Sequence, residues 1–394
     1  MAAFAAVMTG KGTGAISTIQ VFGDKAEAVI KNIFKSIGTK PPILQPGKIL
    51  LGTIVDGSET IDRVAIGCEG PETFAINCHG NPLIVEMIMQ LLQQHGAKLL
   101  TADELRAKTL LAQKLPSTIV LEARLTQPKA KTLEGTKIIA NQIEDGLSKK
   151  AAEWLKNIDA ISIDQIKAEL DQIFTNSQTA KLIITGCKAA IIGPPNTGKS
   201  TLLNCLAGRR KAIVTDIKGT TRDWVSARCK IGPLSIELID TAGLDEELAA
   251  TPQDRIKKAS QQKSVEILEN ADLVLLVLDN SQSTDQLGER LLDKIAGKKV
   301  LTVLNKSDLP ARLDIGKVPK ILANTVQISA KFETGIENLT EKIQQLAGVA
   351  DFDLHTAVCF TSRQENLLKQ LKNVKSKQHA ASIITELLNG QLRV

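Results

Sequence analysis

The sequence predicts an α/β domain inserted in a helical domain, with a second, small α/β domain at the N-terminus. Between Cys187 and about Gly348, apolar strand-like runs alternate with helical patterns, as in a mainly parallel sheet with crossover helices. Helical periodicity without strand-like runs precedes this part from about Leu115 and follows it after Asp351. Before Leu115, short strand-like runs are separated by glycine and proline.

The chain of 394 residues is long enough for two or three domains. We predict an N-terminal α/β domain over residues 1–115, a first helical part over 116–185, the inserted α/β domain over 186–349 and a second helical part over 350–394. Both helical parts have apolar faces that need partners, so we expect them to pack together.

Three local patterns are specific enough to predict helix positions. In the N-terminal domain, a helix begins after Pro82 and ends before Gly96, with an apolar face formed by Leu83, Met87, Leu91 and Leu92. Capping boxes predict further helix starts at Ser162 with Gln165 and at Ser362 with Glu365.

The composition is that of a folded, soluble protein, with 43% hydrophobic and 23% charged residues. Tyrosine is absent, which argues against a module that stacks single-stranded nucleic acid. The net charge of +6 is compatible with a polyanionic partner without requiring one. The six cysteines form no C-x-x-C pair, so we expect buried, reduced thiols.

Membrane and secretion signals are not expected from the sequence. The apolar run Leu273–Leu278 is far shorter than the ~20 residues of a membrane-spanning helix. The start MAAFAAVMTGKG lacks the basic region of a secretory signal. We therefore expect a cytoplasmic protein that has no membrane partner.

A phosphate-binding loop, GPPNTGKS, occupies Gly193–Ser200 between the strand AAII and the helix STLLNCLAG. Its glycines let backbone amides approach phosphates, Lys199 reaches the β and γ oxygens, and the Ser200 hydroxyl is a Mg²⁺ ligand. The predicted phosphate-binding residues are Gly193, Asn196, Thr197, Gly198, Lys199, Ser200 and Thr201.

Two later motifs predict the metal and γ-phosphate contacts. DTAG follows the strand LSIELI, so that Asp240 can hold the Mg²⁺ hydration shell and the Gly243 amide can meet the γ-phosphate. GTTRD offers Thr220 and Thr221, whose ordering depends on the metal and the phosphate. Thr221 is predicted to act in catalysis and, with Ser200 and Asp240, to bind Mg²⁺.

Two motifs predict recognition of guanine. In NKSD, the Asp308 carboxylate can accept hydrogen bonds from N1 and N2 of guanine, which adenine cannot donate, so GTP is favoured over ATP. In SAK, the Ala330 amide lies near guanine O6. The predicted base-binding residues are Asn305, Lys306, Asp308, Ser329, Ala330 and Lys331. Together these motifs predict a P-loop GTPase domain and disfavour an ATP-dependent transport or motor protein.

The residue after DTAG is unusual for this chemistry. Leu244 stands where familiar switch enzymes have a glutamine that positions the attacking water. Asn196 offers a side-chain oxygen for a monovalent cation beside the phosphates, or alternatively it only stabilises the loop.

At this point the chain resembles a known family. GPPNTGKSTLLNCLAGRRKAIVTDIKGTTRD, with DTAGL, NKSD and SAK, resembles the Ras-like G domain of the MnmE/TrmE family of tRNA-modification GTPases. GTGAISTIQVFG is similar to the opening strand of that family, and GPETFAINCHGNPLIVEMIMQLLQQHGAKLL to its folate-binding domain. The inserted position of the G domain matches as well.

The resemblance implies a homodimeric GTPase that K⁺ stimulates when two G domains meet, with Asn196 in the cation site. It implies modification of the wobble uridine of tRNA together with an FAD-dependent MnmG-like partner. A glutamate beyond DTAGL would help to hold the water, for which Glu246 and Glu247, with Asp254, are candidates, although exposed acidic residues are the simpler explanation. The implied catalytic set is Lys199, Thr221, Gly243, Glu246 and Glu247.

Three departures from the family pattern leave other expectations open. No cysteine follows Cys359, so the C-x-G-K tail of the family has no match here. Gln20 stands where the resemblance places an arginine associated with folate, and the segment TADELRAKTLLAQKL is shortened, so binding of a folate derivative is in doubt. The alternative function is a GTPase switch or ribosome-assembly factor that has lost the modification chemistry.

Two other features have both a functional and a structural interpretation. His79 matches a His-Gly pair of the family, but a histidine in a turn is more often structural. The C-terminal stretch is basic and either faces tRNA or is a solvated helix face. Its charged residues are Arg363, Lys369, Lys372, Lys375, Lys377 and Arg393 against Glu365 and Glu386.

Overall fold

A computed structural model describes most of the chain. The described residues are 2–10, 12–37, 44–70, 72–113, 115–208, 226–240, 266–284, 292–293, 295–314, 316, 319 and 322–390. They form two compact units, one up to Leu121 and the other from Glu122 to Gly390.

The first unit is built on a seven-stranded sheet with the order β3-β4-β5-β6-β2-β1-β7. Its strands are antiparallel except for the parallel pair β1 and β7. They span Ala3–Val7 (β1), Ile16–Phe22 (β2), Phe34–Ser36 (β3), Ile49–Asp56 (β4), Glu59–Gly70 (β5), Thr73–His79 (β6) and Ala97–Leu99 (β7). The core of this unit includes Ile19, Ile30, Phe74 and Ile88.

Three helices accompany this sheet, α1 (Ala26–Ile33), α2 (Pro82–Gln94) and α3 (Ala102–Ala112). The predicted helix after Pro82 is confirmed, with Asn81 as its N-cap. Helices α1 and α3 were not singled out by the sequence patterns, although Thr101 and Glu104 form a complete capping box at the start of α3.

The predicted apolar face of α2 is wrong in its first half. Leu83 and Met87 are 68% and 44% exposed, and the buried residues are Ile88, Leu91 and Leu92. The segment PLIVEMIMQLL is apolar at almost every position, so periodicity alone does not choose the face. The buried stripe therefore runs through Ile88 instead of Met87 and keeps Leu91 and Leu92.

The second unit contains helices on both sides of its sheet-forming segment. Those before the sheet are α4 (Thr118–Thr126), α5 (Leu133–Glu144), α6 (Leu147–Lys156) and α7 (Ile163–Thr185). Those after it are α9 (Ile336–Ala347), α10 (Ser362–Lys372) and α11 (Lys377–Asn389). Helix α6 packs on α11, and α7 packs on α10.

The two helical parts are joined by buried polar side chains. Glu122 is 3% exposed and accepts hydrogen bonds from Thr361 Oγ1 at 2.7 Å, Arg363 Nε at 3.0 Å and Gln364 Nε2 at 2.8 Å. The fully buried amide of Gln142 accepts from Val358 N at 3.0 Å. Both contacts join residues more than 200 positions apart in the sequence.

Of the two predicted capping boxes, the one at Ser162 and Gln165 is confirmed. The one at Ser362 and Glu365 is wrong by one residue, because Thr361 is the N-cap of α10 and its hydroxyl accepts from Gln364 N at 3.3 Å. Thr361 and Gln364 match the same pattern, and the further bonds of both side chains to Glu122 favour this register.

The second unit has a six-stranded sheet with the order β13-β12-β11-β8-β10-β9. Its strands are parallel except for β9, which pairs antiparallel with β10. They span Cys187–Ile192 (β8), Ser226–Ile231 (β9), Leu234–Asp240 (β10), Leu273–Asp279 (β11), Val300–Asn305 (β12) and Thr325–Gln327 (β13). Helix α8 (Lys199–Gly208) follows β8. The carboxyl ends of β8, β10, β11 and β12 lie at one edge, where the motifs are found.

The predicted burial of the cysteines is confirmed. All six cysteines are free and buried. Within the part of the chain that is described, no helix has the length and apolarity to cross a membrane.

Candidate nucleotide-binding site

The phosphate loop connects the end of β8 to the start of α8 and requires glycine at two positions. Gly193 has φ of +143°, and a Cβ there would lie 2.0 Å from the carbonyl oxygen of Val277. Gly198 has φ of +94°, and a Cβ there would lie 2.3 Å from Asn305 Nδ2. The absence of side chains therefore lets the loop pack directly against β11 and β12.

Lys199 is held inside this loop. Its Nζ donates to the carbonyl oxygens of Gly193 at 2.7 Å and Pro194 at 2.8 Å, and the residue is only 6% exposed. These carbonyl oxygens orient the ammonium, which lies beside the position predicted for the phosphates.

Ser200 and Asp240, which are both predicted to bind Mg²⁺, are in direct contact. Ser200 Oγ donates to Asp240 Oδ2 at 2.7 Å, although the two residues are 40 positions apart. The other carboxylate oxygen, Asp240 Oδ1, is buried and has no hydrogen-bond partner. An unsatisfied buried oxygen is unfavourable, and Mg²⁺ with its water ligands prefers hard oxygen donors. The two side chains therefore fit a magnesium site.

Asn305 links the phosphate loop to the base-binding loop. Its Nδ2 donates to the carbonyl oxygen of Thr197 at 2.8 Å, and its Oδ1 accepts from Ala330 N at 2.9 Å. Both side-chain groups are thus used within the protein, and the residue is 3% exposed. The structure makes Asn305 a positioning residue that connects the two loops.

The guanine-recognition residues come together after β12 and β13. Asp308 is exposed, and its Oδ1 accepts from Ser329 Oγ at 2.6 Å, so that the carboxylate is oriented but open to a ligand. Ser329 and Ala330 are buried, while the Nζ of Lys331 lies 5.1 Å from the centre of the Phe332 ring. The carboxylate is thus open to a ligand, whereas the Ala330 amide already donates to Asn305 Oδ1 at 2.9 Å.

Asp279 is a part of the site that the sequence motifs did not indicate. It ends β11, and its Oδ2 lies 2.7 Å from the Nζ of Lys306, which has a left-handed backbone with φ of +62°. Burial raises the pKa of Asp279, but hydrogen bonds from Lys306 and Ser281 outweigh it and hold the pKa below its ordinary value. The signal was an acidic residue ending an apolar strand, as Asp240 does in β10.

Of the remaining residues predicted for the phosphate site, the structure describes only some. Asn196 is exposed with φ of +62°, Thr197 is buried, and Thr201 is exposed in the first turn of α8. Several predicted residues lie outside the described ranges, so their roles stay predictions. These are Thr220, Thr221, Gly243, Leu244, Glu246, Glu247 and Asp254.

In the first unit, two polar pairs involve residues that the resemblance singled out. His79 Nδ1 lies 2.6 Å from Asp62 Oδ1, and His79 N donates to Asp62 Oδ2 at 2.8 Å, which ties the end of β6 to β5. Gln20 Nε2 donates to Glu69 Oε2 at 2.9 Å. His79 and Gln20 therefore each have a polar partner within the sheet, which supports a structural role for both side chains.

Much of the basic C-terminal stretch is engaged by neighbouring groups. Arg363 pairs with buried Glu122, Lys369 with Glu365, and Lys372 with Asp171. Lys377 Nζ donates to the carbonyl oxygen of Asp159 at 2.6 Å. Lys375 is exposed, and Arg393 lies beyond the described residues. The paired cations support the structural interpretation for most of this face.

Comparison with known proteins agrees with this geometry. The family model described as "50S ribosome-binding GTPase" matches residues 188–306, and the one described as "GTP-binding protein TrmE N-terminus" matches residues 3–114. The tRNA modification GTPase MnmE of Clostridioides difficile is 30% identical over 403 residues, which cover 93% of this chain and 86% of the relative. The chain belongs to the MnmE family.

Two further MnmE proteins extend over similar lengths. That of Enterococcus faecalis is 30% identical over 98% of this chain and 88% of the relative. That of Lactiplantibacillus plantarum is 32% identical over 87% of this chain and 80% of the relative. As a member of the MnmE family the chain is a GTPase, and these relatives do not favour the alternative of a switch or assembly factor without modification chemistry.

Proposed function

We propose that this MnmE family member hydrolyses GTP with the help of Mg²⁺ and uses the reaction in the modification of the wobble uridine of tRNA. GTP hydrolysis is supported by one observation, that three groups lie at the same edge of the sheet. These are the buried ammonium of Lys199, the Ser200–Asp240 pair with its unsatisfied oxygen, and the exposed Asp308 carboxylate.

Each group has a defined task on the nucleotide. Lys199 neutralises charge on the β and γ phosphates, while the amides of the loop from Gly193 to Ser200 donate to their oxygens. Ser200 and Asp240 hold Mg²⁺, which when bound offsets further phosphate charge. Asp308, oriented by Ser329, accepts from the guanine edge. The Ala330 amide would reach O6 by exchanging its present bond to Asn305 Oδ1. Thr221 and Gly243 complete the γ-phosphate contacts.

Leu244 has no polar atom, so another group must position the water that attacks the γ-phosphate and offset the developing charge. We assign charge compensation to K⁺ bound by Asn196, which is exposed at the rim of the phosphate loop. Glu246 and Glu247 are the candidates for holding the water. The assignment is supported by the side-chain oxygen of Asn196 and by the family to which the chain belongs.

The biological setting follows the relatives, whose names describe tRNA modification GTPases. We propose a cytoplasmic homodimer that acts on tRNA with an FAD-dependent MnmG-like partner. The G domain would be an insertion in a helical domain, supported by the Glu122 and Gln142 contacts between the helices on its two sides. We do not propose that the protein binds a folate derivative, because Gln20 replaces the arginine associated with folate and pairs with Glu69.

The catalytic part is tested by GTP turnover in K⁺ and in Na⁺ at equal ionic strength, with and without Mg²⁺. We expect turnover to require Mg²⁺ and to be faster in K⁺, and Asn196→Ala to remove the difference between the two cations. Equal rates in both salts would contradict the K⁺ assignment, and turnover without Mg²⁺ would contradict the metal site.

The tRNA role is tested independently by deleting the gene and analysing the nucleosides of total tRNA. We expect the modified wobble uridine to disappear and to return when the gene is restored. Unchanged modification would reject the tRNA role while leaving GTP hydrolysis intact.

A further inference from the structure

A basic cavity of about 480 Å³ lies at the end of the second unit's sheet that is opposite to the nucleotide site. Cys187 and Lys188, which line it, begin β8, whereas the phosphate loop follows the end of that strand. Asp272 and Lys299, also in the lining, directly precede β11 and β12. A strand of six residues separates the two sites by roughly 20 Å.

The lining of this cavity carries an excess of positive charge. Its only acidic residues are Glu237 and Asp272 among the described residues that line it. The basic residues come from the turn before α5, helix α7, the beginning of β8, the interior of β9 and the position before β12. They are Lys131, Lys181, Lys188, Arg228 and Lys299.

The two carboxylates offset two of the five positive charges, which leaves an excess of three. Glu237 lies 3.7 Å from Arg228 in an exposed pair, and such pairs interact weakly. Asp272 Oδ2 accepts from the backbone N–H of Lys188 at 2.8 Å, so this carboxylate is engaged by the main chain. The ammonium groups of Lys131, Lys188 and Lys299 form no ion pair with any described residue.

The cavity is suited to binding rather than to catalysis. Burial raises the pKa of Cys187 to about 12, and Asp272 adds to the effect while Lys299 opposes it, so the sulfur stays a thiol. No histidine is present in the described lining, which otherwise offers polar groups such as Gln178, Ser235 and Asn270. A polar, anionic ligand fits this surface, and a largely apolar one does not.

The spacing of the cations favours an extended anion. In the sheet, β8 and β12 are separated by β11, so Lys188 and Lys299 start from positions two strand spacings, or about 10 Å, apart. Lys131 and Lys181 approach from the helical side of the same cavity. A nucleic acid backbone presents a row of phosphates, which can engage cations spread over this width one by one.

We infer that this cavity binds the phosphodiester backbone of the RNA substrate, through Lys131, Lys181, Lys188 and Lys299. The inference rests on the proposed function in tRNA modification, for which it names a contact surface. It places the RNA at the amino-terminal edge of the G-domain sheet and at α7, away from the GTP.

The test measures tRNA binding to the full chain by fluorescence anisotropy between about 50 and 200 mM salt. The variant is Lys188→Gln with Lys299→Gln, and the matched control is Lys156→Gln with Lys342→Gln, which removes two charges outside the cavity. Each lost phosphate contact flattens the logarithmic salt dependence by about 0.7 to 0.9. We therefore expect roughly ten- to hundredfold weaker binding and a slope shallower by about 1.4 to 1.8 for the variant alone.

The outcomes distinguish the proposed role in tRNA modification from the proposed RNA-binding cavity. If wild-type protein binds no tRNA, the tRNA role fails and this inference fails with it. If wild type and the cavity variant bind tRNA equally, only the inference is overturned. Calorimetry with inorganic phosphate is the second arm, since a lysine-dependent phosphate site without any change in tRNA binding would mean a site for free anions. GTP turnover in the absence of tRNA should be the same in all variants and reports on their folding.

Discussion

We propose that Asp308 recognises guanine; its side chain is exposed and accepts a hydrogen bond from Ser329 Oγ. Asp308→Asn places a donor against the N1 and N2 donors of guanine. Unpaired donors cost about 1 to 3 kcal/mol each, so we expect GTP affinity to fall by roughly a hundredfold or more in calorimetry. Xanthosine triphosphate, which carries a carbonyl at position 2, should bind this variant better than it binds the wild type. Unaltered GTP affinity would contradict the assignment.

Among the structural elements, the phosphate loop packs closely against the end of β12 at Gly198. In Gly198→Ala, the new Cβ would lie 2.3 Å from Asn305 Nδ2 at a backbone φ of +94°, so either the loop or Asn305 must shift. We expect a loss of about 1 to 3 kcal/mol in unfolding free energy, measured by urea denaturation, together with weaker nucleotide binding.

Gly208→Ala is the control for this change. Gly208 ends α8, and nothing lies within 4 Å of a Cβ placed there. Alanine in a helix is favoured over glycine, so this variant should be as stable as the wild type or slightly more stable. Equal stability of the two variants would show that the close approach of the loop to β12 is unimportant.

The ion pair between the end of β11 and the loop after β12 makes stability depend on pH. The pKa of Asp279 is lowered from 3.8 in the folded state, so its pairing with Lys306 stabilises the fold above that pH. As pH falls through the folded-state pKa, the carboxylate is protonated and the contribution is lost. Asp279→Asn should therefore be less stable than the wild type at neutral pH and approach it below about pH 4 in denaturation experiments. A difference that grew on acidification would argue against this pairing.

Local sequence signals predicted the elements that carry the nucleotide site but not all of the contacts between them. The phosphate loop, Asp240, Asp308 and Ser329 each belong to a motif at the end of a strand, but the bonds Ser200–Asp240 and Ser329–Asp308 are seen only in the structure. Asp279 was missed because its partner Lys306 lies 27 residues away and no local pattern joins them. The register of α10 was missed because two overlapping pairs match the same capping pattern, and only the distant Glu122 distinguishes them.

At the scale of the second unit, Glu122 joins the helices that precede the sheet to those that follow it. Glu122→Ala leaves Arg363, whose side chain is 20% exposed, without its carboxylate partner. Removing one partner of a buried pair typically destabilises by about 3 to 5 kcal/mol, which urea denaturation would measure. Lys372→Ala breaks only the exposed pair with Asp171 and should change stability by less than about 1 kcal/mol. Similar effects of both variants would mean that the Glu122 network does not join the helical parts.

The two hydrogen bonds of Asn305 restrict which amino acids can replace it. Its short primary amide spans the gap between Thr197 and Ala330 with one hydrogen bond on either side. Aspartate has the right length but no donor, glutamine is one methylene too long for a gap fitted to asparagine, and serine has a single polar atom. A replacement of Asn305 would therefore disturb the phosphate loop and the loop after β13 at the same time.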